Sequence, residues 1–281
     1  MIAILAALLL VFKSAQSRRL AFFAPVDSGA RASKLALPWA LMRTQYPLSP
    51  LIVLVNGPDE KNAVLIGKLC SAIGHCTFQH FVKEDVFSRV QGDQYVHVNG
   101  MEGMRQLFAM YREASVRQKV DFVMLLQPDC LVRGRIPTDV LDNFENSDAC
   151  VGAHHQPVNV MEPYLVDIMR KFNAKAPQPA HYSFTCGSLW KPACAPDVFS
   201  DQMAQRLAGT KCKYDDACIG CAIAIANHTV LESNHIADWR RGEHDNMTPI
   251  LHADKRHYAR EWMRLPVGVC PLYDRLREMF N

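Results

Sequence analysis

The stretch DFVMLLQPDCLVRG, residues 121–134, runs an almost unbroken apolar segment into Gln127-Pro128-Asp129 and out again through Cys130-Leu131-Val132. A short apolar run closed by turn residues predicts a buried strand. It leaves one carboxylate, Asp129, at the strand's carboxyl end.

The chain around it alternates. Leu20–Pro25 reads as a first strand ending at Asp27-Ser28-Gly29, and a helical stretch follows from Leu35 to Met42. Leu51–Val55 is a second strand, stopped by Asn56-Gly57-Pro58. Asn62 to Ile73 predicts a helix ended by Gly74, and Thr77–Phe81 a third strand. Asn99 and Glu102 have capping-box spacing. Met104, Leu107, Phe108 and Tyr111 then repeat as one buried helix face. Strands alternating with amphipathic helices predict an α/β chain with a mostly parallel sheet covered on both faces. Ligands of such sheets collect at the carboxyl ends of the strands. Asp27, Asn56 and Asp129 fall on that edge.

The second half is less regular. Met161 to Phe172 and Pro196 to Leu207 read as helices, and Ser183 to Trp190 as a strand with Gly187 in its middle, where a backbone or ligand comes close. Asp215-Asp216 precedes an apolar helix from Ala217 to Ala226. Ile250–Lys255 and a short helix from Leu272 close the chain. No repeat, low-complexity segment or clear linker interrupts it. A single continuous domain over 18–281 is expected, with 18–135 as its nucleotide-binding half and 136–281 as its acceptor-binding half.

The 281 residues are 49% hydrophobic and 21% charged, which excludes a largely disordered chain. The net charge of +3 is spread along the sequence without a basic run, which argues against nucleic acid as a partner. Ten cysteines are too few for a disulfide scaffold at this length. Cys70, Cys130 and Cys221 lie in apolar runs, where cysteine behaves as a small hydrophobe. Cys218-x-x-Cys221, with Cys212 nearby, has the best metal-like spacing, but a zinc site would want further ligands at matched spacing. Buried or disulfide-bonded cysteine is the plainer reading. Residues 1–12 are wholly apolar, short of the ~20 that span a bilayer. With residues 13–17 they fit a signal peptide or short anchor, and a secretory or membrane-associated location. An apolar tail packed on the fold, in a cytoplasmic protein, is the alternative. Asn227-His-Thr229 and Asn246-Met-Thr248 match the glycosylation triplet.

Four groups carry potential chemistry. Asp129 could hold a hard divalent cation, Mg²⁺ or Mn²⁺, whose shell substrate phosphates complete; equally, Pro-Asp is a common turn. Cys186-Gly187-Ser188 could leave room for a sugar or nucleotide, or mark a bulge. Asp215 or Asp216 could act as a general base, or both could cap a helix. His252 could ligate a metal while Lys255 neutralises a phosphate, or both could sit in a surface loop.

In this order the groups resemble the GT-A glycosyltransferases, especially the glycogenin-like layout. Gln127-Pro-Asp129-Cys-Leu-Val132 is similar to that family's Asp-x-Asp motif, with Asp129 on the second Asp and Gln127 replacing the first. The resemblance implies a GT-A (Rossmann-like) fold and metal binding by Asp129 and His252. It implies donor contacts from Pro25, Asp27, Arg105, Gln127, Gly187 and Lys255, and catalytic roles for Asp215 and Asp216. The implied partners are a nucleotide-sugar donor, a UDP-sugar first, and a glycan or glycoprotein acceptor; the implied cofactor is Mn²⁺ or Mg²⁺. The compact chain is also similar to the small glycosyltransferases encoded by large algal viruses. A nucleotidyltransferase is a second reading, with Ser28–Lys34 only a faint version of its Gly-rich basic loop. A non-catalytic sugar- or nucleotide-binding domain is a third, kept open by Gln127. A thiol-redox role for Cys218 and Cys221 is weaker, because the pair sits within one apolar helix.

Overall fold

The computed structural model describes residues 19–83, 87–88, 97–98, 100–117, 119–155, 163–174, 182–184, 186–208, 210, 215–238, 248–252 and 270–280. Residues 1–18, Asn99, Cys212, Asn246 and Lys255 lie outside them. For Glu102, Met104, Asp215, Asp216, Asp238 and His252 the backbone alone is described.

The strands are β1 (Leu20–Asp27), β2 (Leu51–Asn56), β3 (Cys76–Val82), β4 (Phe87–Ser88), β5 (His97–Val98), β6 (Phe122–Leu125), β7 (Cys130–Val132), β8 (Ala149–His155), β9 (Tyr182–Ser183), β10 (Leu189–Trp190), β11 (Thr229–Glu232), β12 (Ile236–Asp238) and β13 (Ile250–His252). The helices are α1 (Ala32–Gln45), α2 (Glu60–Ile73), α3 (Gly100–Val116), α4 (Thr138–Asn146), α5 (Pro163–Lys171), α6 (Ala195–Val198), α7 (Asp201–Ala208), α8 (Asp215–Ile225) and α9 (Pro271–Phe280).

The main sheet has the order β11-β8-β10-β6-β1-β2-β3, with β9 on β8. Neighbours β1, β2, β3 and β6 are parallel, as are β8 and β11; only β9 and β10 run against the rest. Strands from both halves of the chain share this one sheet. Its central strands are apolar on both faces because both faces are covered. Ala21, Phe23, Ile52 and Leu54 face a core built with α3, α7 and α8. Leu20, Phe22, Ala24, Leu51, Val53 and Val55 face a second core built with α1, α2 and α9. The result is a three-layer α/β/α sandwich. Leu107, Phe108 and Tyr111 are buried on α3, as their spacing predicts.

A buried cation ties the loops below this sheet. Arg43 at the end of α1 is 7% exposed, and its guanidinium donates to the carbonyls of Tyr46, Pro47, Ser49, Gly74 and His75. One fixed fork closes two connections at once.

Three expected elements differ in the structure. Ser183–Trp190 is no single strand: β9 and β10 are separated by a turn in which Gly187 has φ +71°. Pro196–Leu207 breaks at Ser200, whose hydroxyl accepts from the Met203 N–H and starts a new helix. Asp215 and Asp216 form the first turn of α8 instead of preceding it. No helix among the described residues is long and apolar enough to cross a membrane.

Candidate functional site

The carboxyl edge of the sheet is assembled from tight turns. At the end of β1, Asp27 Oδ1 accepts the Gly29 N–H at 2.6 Å, a side-chain turn that halts the strand. Asp27 lies in register with Asn56 at the end of β2. Ser28 N–H donates to the Asn56 carbonyl at 2.6 Å, and the Asn62 amide donates to the carbonyls of Ser28 and Ala30. Gly57 has φ +119°, and a Cβ there would stand 2.4 Å from Ser28 Oγ, so only glycine fits. Asn56 is 2% exposed, and its side-chain Oδ1 has no hydrogen-bond partner among the described residues. Such an acceptor stores on the order of 1–3 kcal/mol of desolvation. The sequence put Asn56 on this edge; only burial marks it as a polar group waiting for a donor.

Asp129 sits in the next turn. After β6 the chain makes a reverse turn over Gln127-Pro128-Asp129-Cys130, closed by the Cys130 N–H on the Gln127 carbonyl at 3.0 Å. Proline suits the second position of such a turn. Gln127 is half-buried and Asp129 is 5% exposed. The chain then continues as β7, beyond the main sheet.

A small second sheet of order β12-β13-β7 stands on this edge. Strand β7 continues β6, and β12 continues β11 after a short turn. Between them, β13 is antiparallel to β7 with His252 opposite Cys130, and parallel to β12 with His252 in register with Asp238. Asp238, His252 and Cys130 therefore occupy one row across three strands, with Asp129 the next residue along the chain. No local pattern announced these three-residue strands, and Asp238 was not among the expected site residues.

Gly187 joins the two sheets. Its N–H donates to the Leu125 carbonyl at 2.9 Å, and its own carbonyl accepts His235 Nε2–H at 2.9 Å. A Cβ at Gly187 would lie 2.7 Å from Ile250 Cγ2 and 3.1 Å from Ile236 Cγ1. On the side a Cβ would take, Gly187 is closed in by the protein's own side chains. Ser188 is fully buried, donating to the Phe184 carbonyl and accepting from Trp190 Nε1. His235 is 1% exposed; Ser233 Oγ donates to its Nδ1. Burial, and secondarily the nearby His154, push its pKa down to about 4 against the opposing Gly187 hydrogen bond. His235 is thus a neutral pin between the sheets.

The remaining expected residues group by topology. Pro25 pairs with Leu54 inside β1, two residues before the edge. Helix α3 returns to β6 and α8 returns to β11 through short connections, so the first turns of both face the carboxyl edge, on the same side of the sheet. Arg105 is half-buried in the second turn of α3, and Asp215 and Asp216 open α8.

The described cysteines are buried or disulfide-bonded, the plainer of the two sequence readings. Cys218 and Cys221 are buried in the core among Ala222, Ile223 and Ala224, without the grouped ligands of a metal site among the described side chains. Cys70 pairs with Cys76 and Cys150 with Cys194.

No protein-family model and no curated protein matches the chain. Solved structures do. The galactosyltransferase LgtC, in complex with donor and acceptor sugar analogues, superposes with a TM-score of 0.53 at 15% identity over 92% of this chain and 96% of that one. An active-site mutant of LgtC gives 0.52 at 13% identity over the same shares. The bifunctional glycosyltransferase WbbM gives 0.49 at 14% identity, and this chain spans 44% of it. At these identities the likeness is one of fold, and the two LgtC superpositions, both above 0.5, give the chain the GT-A fold.

Proposed function

We propose that this GT-A-fold chain is a glycosyltransferase that moves a sugar from a nucleotide-sugar donor, a UDP-sugar first, to a hydroxyl of a glycan or glycoprotein acceptor. The observation that carries the reading is the register of His252 opposite Cys130, beside Asp129, on the ligand-binding edge of the sheet.

A divalent ion fits this donor set. A carboxylate and an imidazole suit Mn²⁺, and with Gln127 replacing a second carboxylate the donor's diphosphate oxygens would complete the shell. When bound, the ion supplies Lewis-acid stabilisation of the leaving diphosphate. Asp129 and His252 would hold it; Lys255 and Arg105 would neutralise the phosphates. Asn56 Oδ1, buried at the end of β2, suits an N–H donor such as a nucleobase imide, next to Asp27 and Pro25.

In the transfer, the acceptor oxygen bonds to the anomeric carbon as the anomeric C–O bond breaks, and the nucleoside diphosphate leaves with the electron pair. In an inverting reaction Asp216 or Asp215, at the start of α8, takes the acceptor's proton. In a retaining reaction the departing phosphate takes it. The disulfides agree with a secretory or membrane-associated site of action, in which residues 1–17 serve as signal or anchor.

The test is turnover of UDP-glucose, UDP-galactose, UDP-xylose and GDP-sugars with and without Mn²⁺. Mn²⁺-dependent release of a nucleoside diphosphate supports the reading. Binding without turnover favours a non-catalytic domain, the reading that Gln127 keeps open. Absence of both overturns it, and turnover of a nucleoside triphosphate with release of pyrophosphate would assign a nucleotidyltransferase.

A further inference from the structure

At the opposite edge of the sheet three side chains converge that transfer does not use. Cys150 lies near the start of β8, Cys194 in the short 3₁₀ turn after β10, and His228 just before β11. Their ligand atoms all lie within 4.8 Å of one another. Among the described side chains this is the one group of three His, Cys, Asp or Glu residues so close. Cys150 is 1% and Cys194 9% exposed, while the His228 side chain is 25% exposed and reaches solvent. The Asp197 carboxylate stands 3.4 Å from His228 Nε2. A cavity of about 330 Å³ bounded by Asp197, Ser200, Arg206 and Ala226 opens beside it.

We propose that Cys150, Cys194 and His228 form a zinc-binding site in the reduced chain, with Asp197 as the outer partner of the imidazole. Two thiolates and an imidazole are the donor set of a borderline-soft ion of tetrahedral preference. A carboxylate behind a metal-bound imidazole fixes its ring and raises its basicity. Three protein ligands would leave the fourth position of such an ion to water. The Cα atoms of the two cysteines are 5.9 Å apart, a spacing a disulfide also accepts. The same sulfurs therefore have two exclusive states: joined to each other, or bound to zinc. Passing between them needs a reductant of the thiol or phosphine class. With a phosphine, water supplies the oxygen of the phosphine oxide and the two thiol protons, and the S–S bond takes the electron pair. Zinc then displaces both thiol protons. The disulfide ties β8 to the turn after β10, and zinc would add the entry to β11 through His228, far from Asp129.

The test uses the full chain, reduced with a phosphine, stripped with a chelator and titrated with Zn²⁺ and separately with Co²⁺. The expected result is one retained zinc per chain, and thiolate-to-cobalt charge-transfer bands that Asp129→Ala leaves intact. Cys194→Ser should abolish the bands. His228→Gln, on a partly exposed side chain that leaves both cysteines in place, should weaken retention by at least ~10-fold while the far-ultraviolet circular dichroism is unchanged. Absence of retained metal in the reduced chain would overturn the proposal. So would bands that persist in Cys194→Ser, or full retention in folded His228→Gln.

Discussion

His252 stands opposite Cys130 in the antiparallel pairing of β13 with β7, one residue along the chain from Asp129. The two expected metal ligands are far apart in sequence. A strand of three residues makes them neighbours. The same strand holds Asp238 in register on its other side.

Asn56 separates binding from stability. Its buried Oδ1 has no partner among the described residues, so removing it leaves no new unsatisfied group. Asn56→Ala should weaken UDP binding by about 5- to 10-fold, the worth of one hydrogen bond of ~1 kcal/mol or slightly more. The urea midpoint should move little by comparison. Calorimetric titration with UDP, beside urea denaturation, reads both.

Gly187 is held by conformation and by space. An alanine there must adopt φ +71° and push its Cβ to 2.7 Å from Ile250 Cγ2. Strain of about 1–2 kcal/mol and overpacking of about 1–3 kcal/mol act together. Gly187→Ala should lower stability by about 2–4 kcal/mol in denaturant unfolding. Adding Ile250→Ala should relieve the steric part and leave the backbone part.

His235 makes the fold acid-sensitive. The unfolded imidazole takes its proton near the ordinary 6.5, whereas burial holds the folded one to about 4. Between these values the unfolded state binds more protons, so stability rises with pH. The contribution is complete above about pH 6.5 and is lost as pH falls toward 4, on the order of 3 kcal/mol in all at ~1.36 kcal/mol per unit. Urea midpoints measured from pH 7 to pH 4.5 should fall steadily in the wild type. His235→Gln, which cannot titrate, should flatten that slope.

Much of this architecture was legible in residue order. Strands β1, β2 and β6 are apolar runs ended by Asp27-Ser28-Gly29, Asn56-Gly57-Pro58 and Gln127-Pro128-Asp129. Two-sided burial and turn residues act locally, so both leave a local trace. The short strands β7, β12 and β13 leave none, because three residues carry no periodicity and their pairing partners are remote. The break at Gly187 was hidden for a related reason. The crowding around it comes from Ile236 and Ile250, which lie far along the chain and approach only in the folded state. The convergence of Cys150, Cys194 and His228 was hidden too: the two cysteines are 44 residues apart. Cys218-x-x-Cys221 had the better spacing and turned into core. Spacing announces a site only when one element supplies its ligands.

The most direct measurement is UDP binding by calorimetry, with and without Mn²⁺, for the wild type, Asp129→Ala and His252→Ala. The account predicts that Mn²⁺ strengthens UDP binding to the wild type and that either substitution removes the Mn²⁺ dependence. It further predicts that the metal-free affinity of all three stays alike. Mn²⁺-dependent binding that survives both substitutions would contradict it.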